Sequence, residues 1–129
     1  HVPLLPQTHH IISYDAIEKM KQGVVIINTS RGELIDTQAI LKGLESNKVG
    51  AVGLDVIENE CMMKDEQDII NKSLGQQSFE NYKSLLENHV LINHPQVFIT
   101  PHNAFNTVDA VDRIYSSTFQ QIEEFIHRK

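Results

Sequence analysis

Val24-Val25-Ile26-Ile27 is an unbroken run of β-branched residues, and the polar stretch Asn28-Thr29-Ser30-Arg31-Gly32 follows it directly. A strand whose residues do not alternate between apolar and polar is typical of a sheet that is covered on both faces. Two further apolar runs lie at residues 49–56 and at residues 97–100, where Pro101 ends the second. The sequence therefore predicts three buried strands, each followed by a polar loop.

Segments with the apolar spacing of helices lie between and after these strands. Ser13 is a suitable N-cap for the first of them, and Gly23 is the glycine that commonly follows a helix end. Four helices are predicted, at residues 14–21, from 36 or 37 to 46, at 78–88 and at 107–127. The alternation of strands and helices predicts an α/β fold, in which a parallel sheet carries helices on both faces.

Composition excludes several classes of protein. The 129 residues have a mass of 14.7 kDa and are 40% hydrophobic and 22% charged, as globular proteins are. No apolar run approaches the roughly 18–20 residues that a membrane span requires, so we expect no membrane partner. The net charge of −6 disfavours nucleic acid as a partner. The single cysteine, Cys61, excludes an internal disulfide and fits a reducing, cytoplasmic location.

Polar side chains follow each predicted strand. Arg31 comes after the first strand, Asp55, Glu58 and Glu60 come after the second, and His102 comes after the third. Because parallel strands bring their carboxyl ends to the same edge of a sheet, we expect these side chains to face one crevice.

Three of these residue types together suit one reaction. A guanidinium is permanently charged and can hold a carboxylate in one orientation, and an imidazole can exchange a proton with an alcohol or a carbonyl oxygen. A neighbouring carboxylate stabilises an imidazolium and fixes its ring. These are the parts required to interconvert a 2-hydroxy acid and a 2-oxo acid, with a cofactor to carry the hydride.

Several stretches of the sequence match the motifs of a known family and narrow this interpretation. The matching stretches are His1-Val2-Pro3 with Thr8-His9-His10, Met20-Lys21-Gln22-Gly23-Val24-Val25-Ile26-Ile27-Asn28-Thr29-Ser30-Arg31-Gly32, Leu34-Ile35-Asp36-Thr37, Val52-Gly53-Leu54-Asp55-Val56 followed by Glu60, and Thr100-Pro101-His102-Asn103-Ala104-Phe105. In these stretches the chain resembles the NAD-dependent D-2-hydroxyacid dehydrogenase family, and within it the D-lactate branch.

The resemblance implies the C-terminal half of a Rossmann-type parallel sheet, truncated. Residues 1–105 would form the C-terminal part of the NAD-binding domain, and residues 106–129 a helix that returns toward an absent substrate domain. The Gly-rich phosphate loop of the family is absent, and the resemblance places it upstream of His1, as it does the residue that separates NAD from NADP. We therefore expect a piece of a longer, homodimeric enzyme, and we expect these 129 residues to be inactive alone.

The resemblance also assigns roles to single residues. Arg31 would bind the substrate carboxylate, Glu60 would pair with the histidine, and His102 would be the acid/base; the substrate is a small 2-oxo or 2-hydroxy acid, with pyruvate and D-lactate preferred. Phe105 would border the substrate side chain. The cofactor contacts would come from Pro3 and Thr8 on the adenosine side, from Thr29, Ser30 and Arg31 near the nicotinamide ribose, from Asp55 at the nicotinamide carboxamide, and from His102.

Several alternatives stay open. Glu58 rivals Glu60 as the partner of the histidine, and residues 62–93 are interpreted as a surface insertion. We expect no metal site at His9-His10, because adjacent histidines point apart in a helix or strand, and we expect Cys61 to be a structural thiol rather than a nucleophile. A non-catalytic NAD(H)-sensing module resembling a co-repressor is the alternative from another class. Phosphoglycerate, hydroxypyruvate and D-hydroxyisocaproate dehydrogenases are the rivals among enzymes.

Overall fold

Three parallel strands form the sheet of the computed structural model, which describes residues 2–60 and 79–128. They are β1 (Val24–Asn28), β2 (Val49–Leu54) and β3 (Val97–Ile99), in the order β1-β2-β3. Ile26 pairs with Val52 and Leu54 pairs with Ile99, so the three carboxyl ends lie side by side. The predicted α/β class with a parallel sheet is confirmed.

Four helices accompany the sheet within the described residues, and side-chain caps start three of them. The helices are α1 (Tyr14–Glu18), α2 (Thr37–Glu45), α3 (Phe79–Ile92) and α4 (Val108–His127). Ser13 Oγ caps α1, the Asp36 carboxylate accepts two backbone N–H groups at the start of α2, and Thr107 Oγ1 caps α4. A short 3₁₀ turn, Gly32–Leu34, lies between β1 and α2.

Two helices differ in length from the prediction. Helix α1 ends at Glu18 instead of residue 21, because the N–H groups of Lys19 and Met20 bond the carbonyls three residues back and tighten the last turn. Helix α3 continues to Ile92, beyond the predicted residue 88, because Leu91 is buried in the core. Pro95, which disfavours helical backbone at the residue before it, follows the helix end.

The core lies between one face of the sheet and the helices α1, α2 and α3. Ile40 and Val49 are fully buried there, and Ile17, Val52 and Leu91 are nearly so. The opposite face of the sheet is open within the described residues: Val25, Ile27 and Phe98 are 61%, 73% and 72% exposed. The sequence predicts that both faces of the first strand are covered, but within the described residues only one face is.

The prediction that residues 62–93 form a surface insertion is wrong for helix α3. It packs against α2 and β3, and its Asn88 and Leu91 are only 1% and 2% exposed. The rest of that segment, residues 62–78, and Cys61 lie outside the described residues, as does the predicted helix start at Ser78. Among the described helices, none combines the length and the hydropathy that crossing a bilayer requires.

Candidate functional site

Three loops meet where the strands end, and Asn28 joins two of them. This side chain, only 7% exposed, donates from Nδ2 to the carbonyl of Arg31 (2.7 Å) and accepts at Oδ1 from the N–H of Ser30 (3.0 Å). Its own carbonyl accepts from the N–H of Asp55 (2.9 Å). The loop after β1 is thus fixed to the end of β2.

Asp55 in turn fixes the loop after β3. Its Oδ1 accepts from Thr100 Oγ1 (2.5 Å) and from the N–H of Asn103 (2.8 Å), and its Oδ2 accepts from the N–H of Ala104 (2.8 Å). One buried carboxylate therefore holds residues on both sides of His102. The contact of Asp55 with the cofactor stays a prediction, whereas its role in organising the loop is visible in the structure.

The charge state of Asp55 follows from these contacts. Burial by itself raises the pKa of Asp55, but the hydrogen bonds from Thr100, Ala104 and Asn103, together with the positive charge of protonated His102, outweigh burial. The net result is a pKa below the ordinary value of 3.8. Asp55 is consequently a permanent anion at neutral pH.

His102 and Glu60 are brought together from loops 42 positions apart. His102 Nδ1 lies 3.1 Å from Glu60 Oε2, and the His102 side chain is 43% exposed. Both residues line a cavity of about 110 Å³, together with Asp55 and Pro101. The backbone of His102 is left-handed, with φ of 52°, a conformation that costs a non-glycine residue free energy and that the contacts of Asp55 sustain.

Glu58 is engaged elsewhere, and the two glutamates are thereby distinguished. Glu58 Oε1 lies 2.7 Å from His10 Nε2, and its Oε2 accepts from Thr37 Oγ1 (3.0 Å). Asn59 between them has a φ of 55°, which turns the chain so that neighbouring glutamates face different partners. Of the two rivals, Glu60 is the one that pairs with His102.

Arg31 lies beside the loop that carries both glutamates. The glycine after it, Gly32, is buried so tightly that an added Cβ would overlap the backbone of Ile57 and Glu58. The Arg31 side chain is exposed, and its one hydrogen bond within the described residues runs from Nη1 to the Ser30 carbonyl (2.7 Å). Arg31 and His102 line different cavities, and their side chains bond different partners, the Ser30 carbonyl and Glu60 respectively.

Two cavities adjoin the predicted dinucleotide positions. One, of about 330 Å³, is largely apolar and is lined by the end of β1 with Thr29 and Ser30; the other, of about 490 Å³, is lined by Pro3, Ser30 and Arg31. Ser30 Oγ also donates to the Val2 carbonyl (2.9 Å), which holds the N-terminal segment over this end of the sheet. The first cavity is lined by apolar side chains together with the hydroxyl-bearing Thr29 and Ser30, a combination that suits a nucleotide.

Two further predicted site residues are Thr8 and Phe105. Thr8 Oγ1 accepts from the N–H of Leu5 and donates to the Pro3 carbonyl (2.8 Å each), so its hydroxyl shapes the turn that carries Pro3. Phe105 is 58% exposed after the His102 loop. Contacts of either residue with a ligand stay predictions.

Sequence reasoning missed the residues that position the site. Asn28, Thr100 and Asn88 are polar residues whose side chains bond the loops at the site. Asn88, which is 1% exposed, donates from Nδ2 to the Glu58 carbonyl (2.7 Å). The available signal is a polar residue at the end of an apolar strand or on the apolar face of a helix, as Asn88 is three residues before Leu91.

Comparison with known proteins identifies a family for most of the chain. Residues 1–104 match the family described as "D-isomer specific 2-hydroxyacid dehydrogenase, NAD binding domain". The match covers all three strands, the Arg31 loop, the Glu60 loop and His102.

Individual relatives agree with this family. The chain is 38% identical over 129 residues to a D-specific alpha-keto acid dehydrogenase of Enterococcus faecium, covering 100% of the chain and 37% of that protein. It is 38% identical over 125 residues to a D-lactate dehydrogenase of Leuconostoc mesenteroides subsp. cremoris, covering 97% and 35%. A solved structure of D-lactate dehydrogenase from Aquifex aeolicus, complexed with NAD and lactic acid, superposes with a TM-score of 0.72 at 34% identity, covering 98% and 36%. The chain thus spans little more than a third of the length of these relatives.

Proposed function

The chain belongs to the NAD binding domain family of the D-isomer specific 2-hydroxyacid dehydrogenases, and we propose that the protein carrying it interconverts a 2-oxo acid and a D-2-hydroxy acid, with pyruvate and D-lactate as the preferred pair. The observation that carries the proposal is the His102–Glu60 pair beside the Arg31 loop. The hydrogen bonds of Asp55 hold the loop that carries His102. The relatives named as D-lactate dehydrogenases support the choice of substrate.

His102 is the acid/base in this proposal. Its Nδ1 is directed to Glu60, whereas its Nε2 has no partner among residues 2–60 and 79–128, and the ring is accessible. The imidazolium donates the Nε2 proton to the carbonyl oxygen during reduction, and the neutral ring takes a proton from the hydroxyl during oxidation. The Glu60 carboxylate stabilises the imidazolium and keeps Nε2 turned outward.

Arg31 binds the substrate carboxylate. Its guanidinium carries five N–H donors in a fixed fork, and most of them are unengaged by the described residues. A two-pronged hydrogen bond to the carboxylate holds the substrate in one orientation, which places the carbonyl group for reaction. Asn28 keeps the Arg31 backbone in place for this contact.

Residues of this chain that would hold NAD(H) lie around the two cavities at the end of β1. Pro3 would contact the adenosine side, and Thr29, Ser30 and Arg31 would approach the nicotinamide ribose. Asp55 and His102, which line the separate cavity of about 110 Å³, would meet the nicotinamide. When bound, the cofactor supplies the hydride that no side chain carries.

Isolated residues 1–129 are inactive in this proposal, and the complete protein is a homodimer. The support is that the chain spans little more than a third of its relatives and that one face of its sheet is open within the described residues. Sedimentation of the complete protein tests the dimer. NADH oxidation with pyruvate by the 129 residues alone would contradict their inactivity.

Steady-state kinetics of the protein that carries this chain test the activity. We expect NADH oxidation with pyruvate, a loss of about 10²–10⁴-fold in kcat for His102→Gln, and mainly a raised KM for Arg31→Gln. His89→Gln, an exposed histidine on α3, and Arg113→Gln, an exposed arginine on α4, are the matched controls. NADH binding without turnover on any 2-oxo acid would contradict the proposal and favour a sensing module.

A further inference from the structure

Two adjacent histidines, His9 and His10, place their rings side by side. The ring centroids lie 3.9 Å apart with an interplanar angle of 33°. The cause is the backbone: His10 is left-handed, with φ of 52°, and its N–H donates to the Glu33 carbonyl (2.9 Å). The expectation that neighbouring histidines point apart holds for helices and strands, and this turn is neither.

A carboxylate completes the cluster from a different loop. Glu58 Oε1 lies 2.7 Å from His10 Nε2, and one ligand atom of each of the three residues lies within 4.8 Å of the others. The Glu58 side chain is 17% exposed and the His10 side chain 32%, whereas His9 faces solvent. A metal ion therefore has a route to the cluster.

Further contacts orient Glu58 before any ion arrives. Thr37 Oγ1 donates to Glu58 Oε2 (3.0 Å), and Asn88 Nδ2 donates to the Glu58 carbonyl (2.7 Å). Hydrogen bonds of this kind are the support that metal-ligating carboxylates generally have. Oε1 is the oxygen that faces the histidines.

We propose that His9, His10 and Glu58 form a binding site for a divalent transition-metal ion, with zinc as the favoured occupant. Two imidazoles and one carboxylate are a ligand set that zinc uses, leaving a position for water. Tetrahedral ligands at about 2.1 Å from zinc lie about 3.4 Å apart, so the His10 and Glu58 atoms, now 2.7 Å apart, separate by about 0.7 Å when the ion replaces the proton between them. The inference is independent of the proposed function, since the cluster contains none of Arg31, Glu60 and His102.

Calorimetric titration of zinc into the metal-free protein tests the site, with variants chosen to keep the fold. His9 makes no side-chain hydrogen bond within the described residues, so His9→Ala removes a metal ligand without breaking a hydrogen bond. We expect His9→Ala and Glu58→Gln each to weaken the tightest zinc affinity at least about tenfold, and Thr37→Val, which removes only the supporting hydroxyl, to weaken it about tenfold. His89→Ala, an exposed histidine outside the cluster, is the matched control and keeps the affinity of the unaltered protein.

Cobalt is the spectroscopic probe. Cobalt(II) bound by nitrogen and oxygen ligands in low coordination gives visible absorption, which we expect in the unaltered protein and in His89→Ala but not in His9→Ala. Equal zinc affinities of His9→Ala and His89→Ala would overturn the site. Zinc affinity that is lost in His9→Ala yet unchanged in Glu58→Gln would overturn the three-residue ligand set.

Discussion

At the scale of single residues, a left-handed asparagine separates two otherwise similar carboxylates. Glu58 and Glu60 would point to the same side of an extended chain, but the φ of 55° at Asn59 sends them to His10 and to His102 respectively. Asparagine is among the few residues that adopt this conformation readily. Sequence spacing alone left both glutamates as candidates, because it does not report backbone handedness.

Glu60→Gln is expected to change the pH dependence of reduction. In the proposed mechanism reduction requires protonated His102, and the glutamine no longer stabilises the imidazolium, so the upper limb of the pH–rate profile moves to lower pH. Glu58→Gln is the matched control and leaves the profile in place. The measurement is kcat/KM for pyruvate across pH in both variants; an unmoved profile in Glu60→Gln would remove the role given to Glu60.

Asp55→Asn is expected to destabilise the protein by about 1–3 kcal/mol at neutral pH, because an amide cannot accept hydrogen bonds at every position that Thr100, Asn103 and Ala104 use. The pKa of Asp55 is lowered in the folded state, so its charge stabilises the fold above about pH 4 and that stabilisation is lost as the pH falls through the folded-state value. The difference from the unaltered protein should therefore narrow in acid.

Denaturant unfolding of both proteins over a pH series checks this expectation. Asp112→Asn, on the exposed side of α4, is the control and should follow the unaltered protein at every pH. A stability difference for Asp55→Asn that stays constant down to pH values well below 4 would contradict the role of the buried charge.

At the scale of elements, the loop after β1 and the loop after β2 are in direct backbone contact at Gly32. No side chain fits there, because a Cβ would overlap the carbonyl group of Ile57 and the N–H of Glu58. The loop that carries Arg31 and the loop that carries Glu60 therefore share one packing contact. Moving either loop displaces the other, so the distance between Arg31 and the Glu60–His102 pair depends on a glycine.

Gly32→Ala is expected to cost about 1–3 kcal/mol of stability and to lower kcat/KM together, since the added methyl group pushes the two loops apart. Gly53→Ala is the matched control: a Cβ on this strand glycine meets only Ile27, at an ordinary distance of 3.6 Å. Thermal unfolding and pyruvate reduction are measured for both variants. Equal effects of the two substitutions would show that the backbone contact at Gly32 does not set the site.

At the scale of the whole molecule, the sequence predicts local structure. It does not identify the residues whose side chains bond distant elements. Apolar runs located β1, β2 and β3, and motif spacing located Arg31 and His102 at their ends. The depth of α3 in the core and the hydrogen bond from the Asn88 side chain to the Glu58 carbonyl depend on neighbours far away in sequence. The identity of a polar residue in an apolar stretch does not show which loop its side chain bonds.

Asn28 was not identified from the sequence, yet its side chain bonds the backbone of Ser30 and Arg31 and so joins β1 to the Arg31 loop. These two hydrogen bonds are separate from the His102–Glu60 pair. Asn28→Ala should therefore raise KM for pyruvate about tenfold, with a smaller change in kcat and with the pH–rate profile unmoved. A loss of acid/base chemistry would instead move that profile. Kinetics of Asn28→Ala across pH, beside Arg31→Gln, separate the two: a normal KM, or a displaced profile, would mean that Asn28 does not act through Arg31.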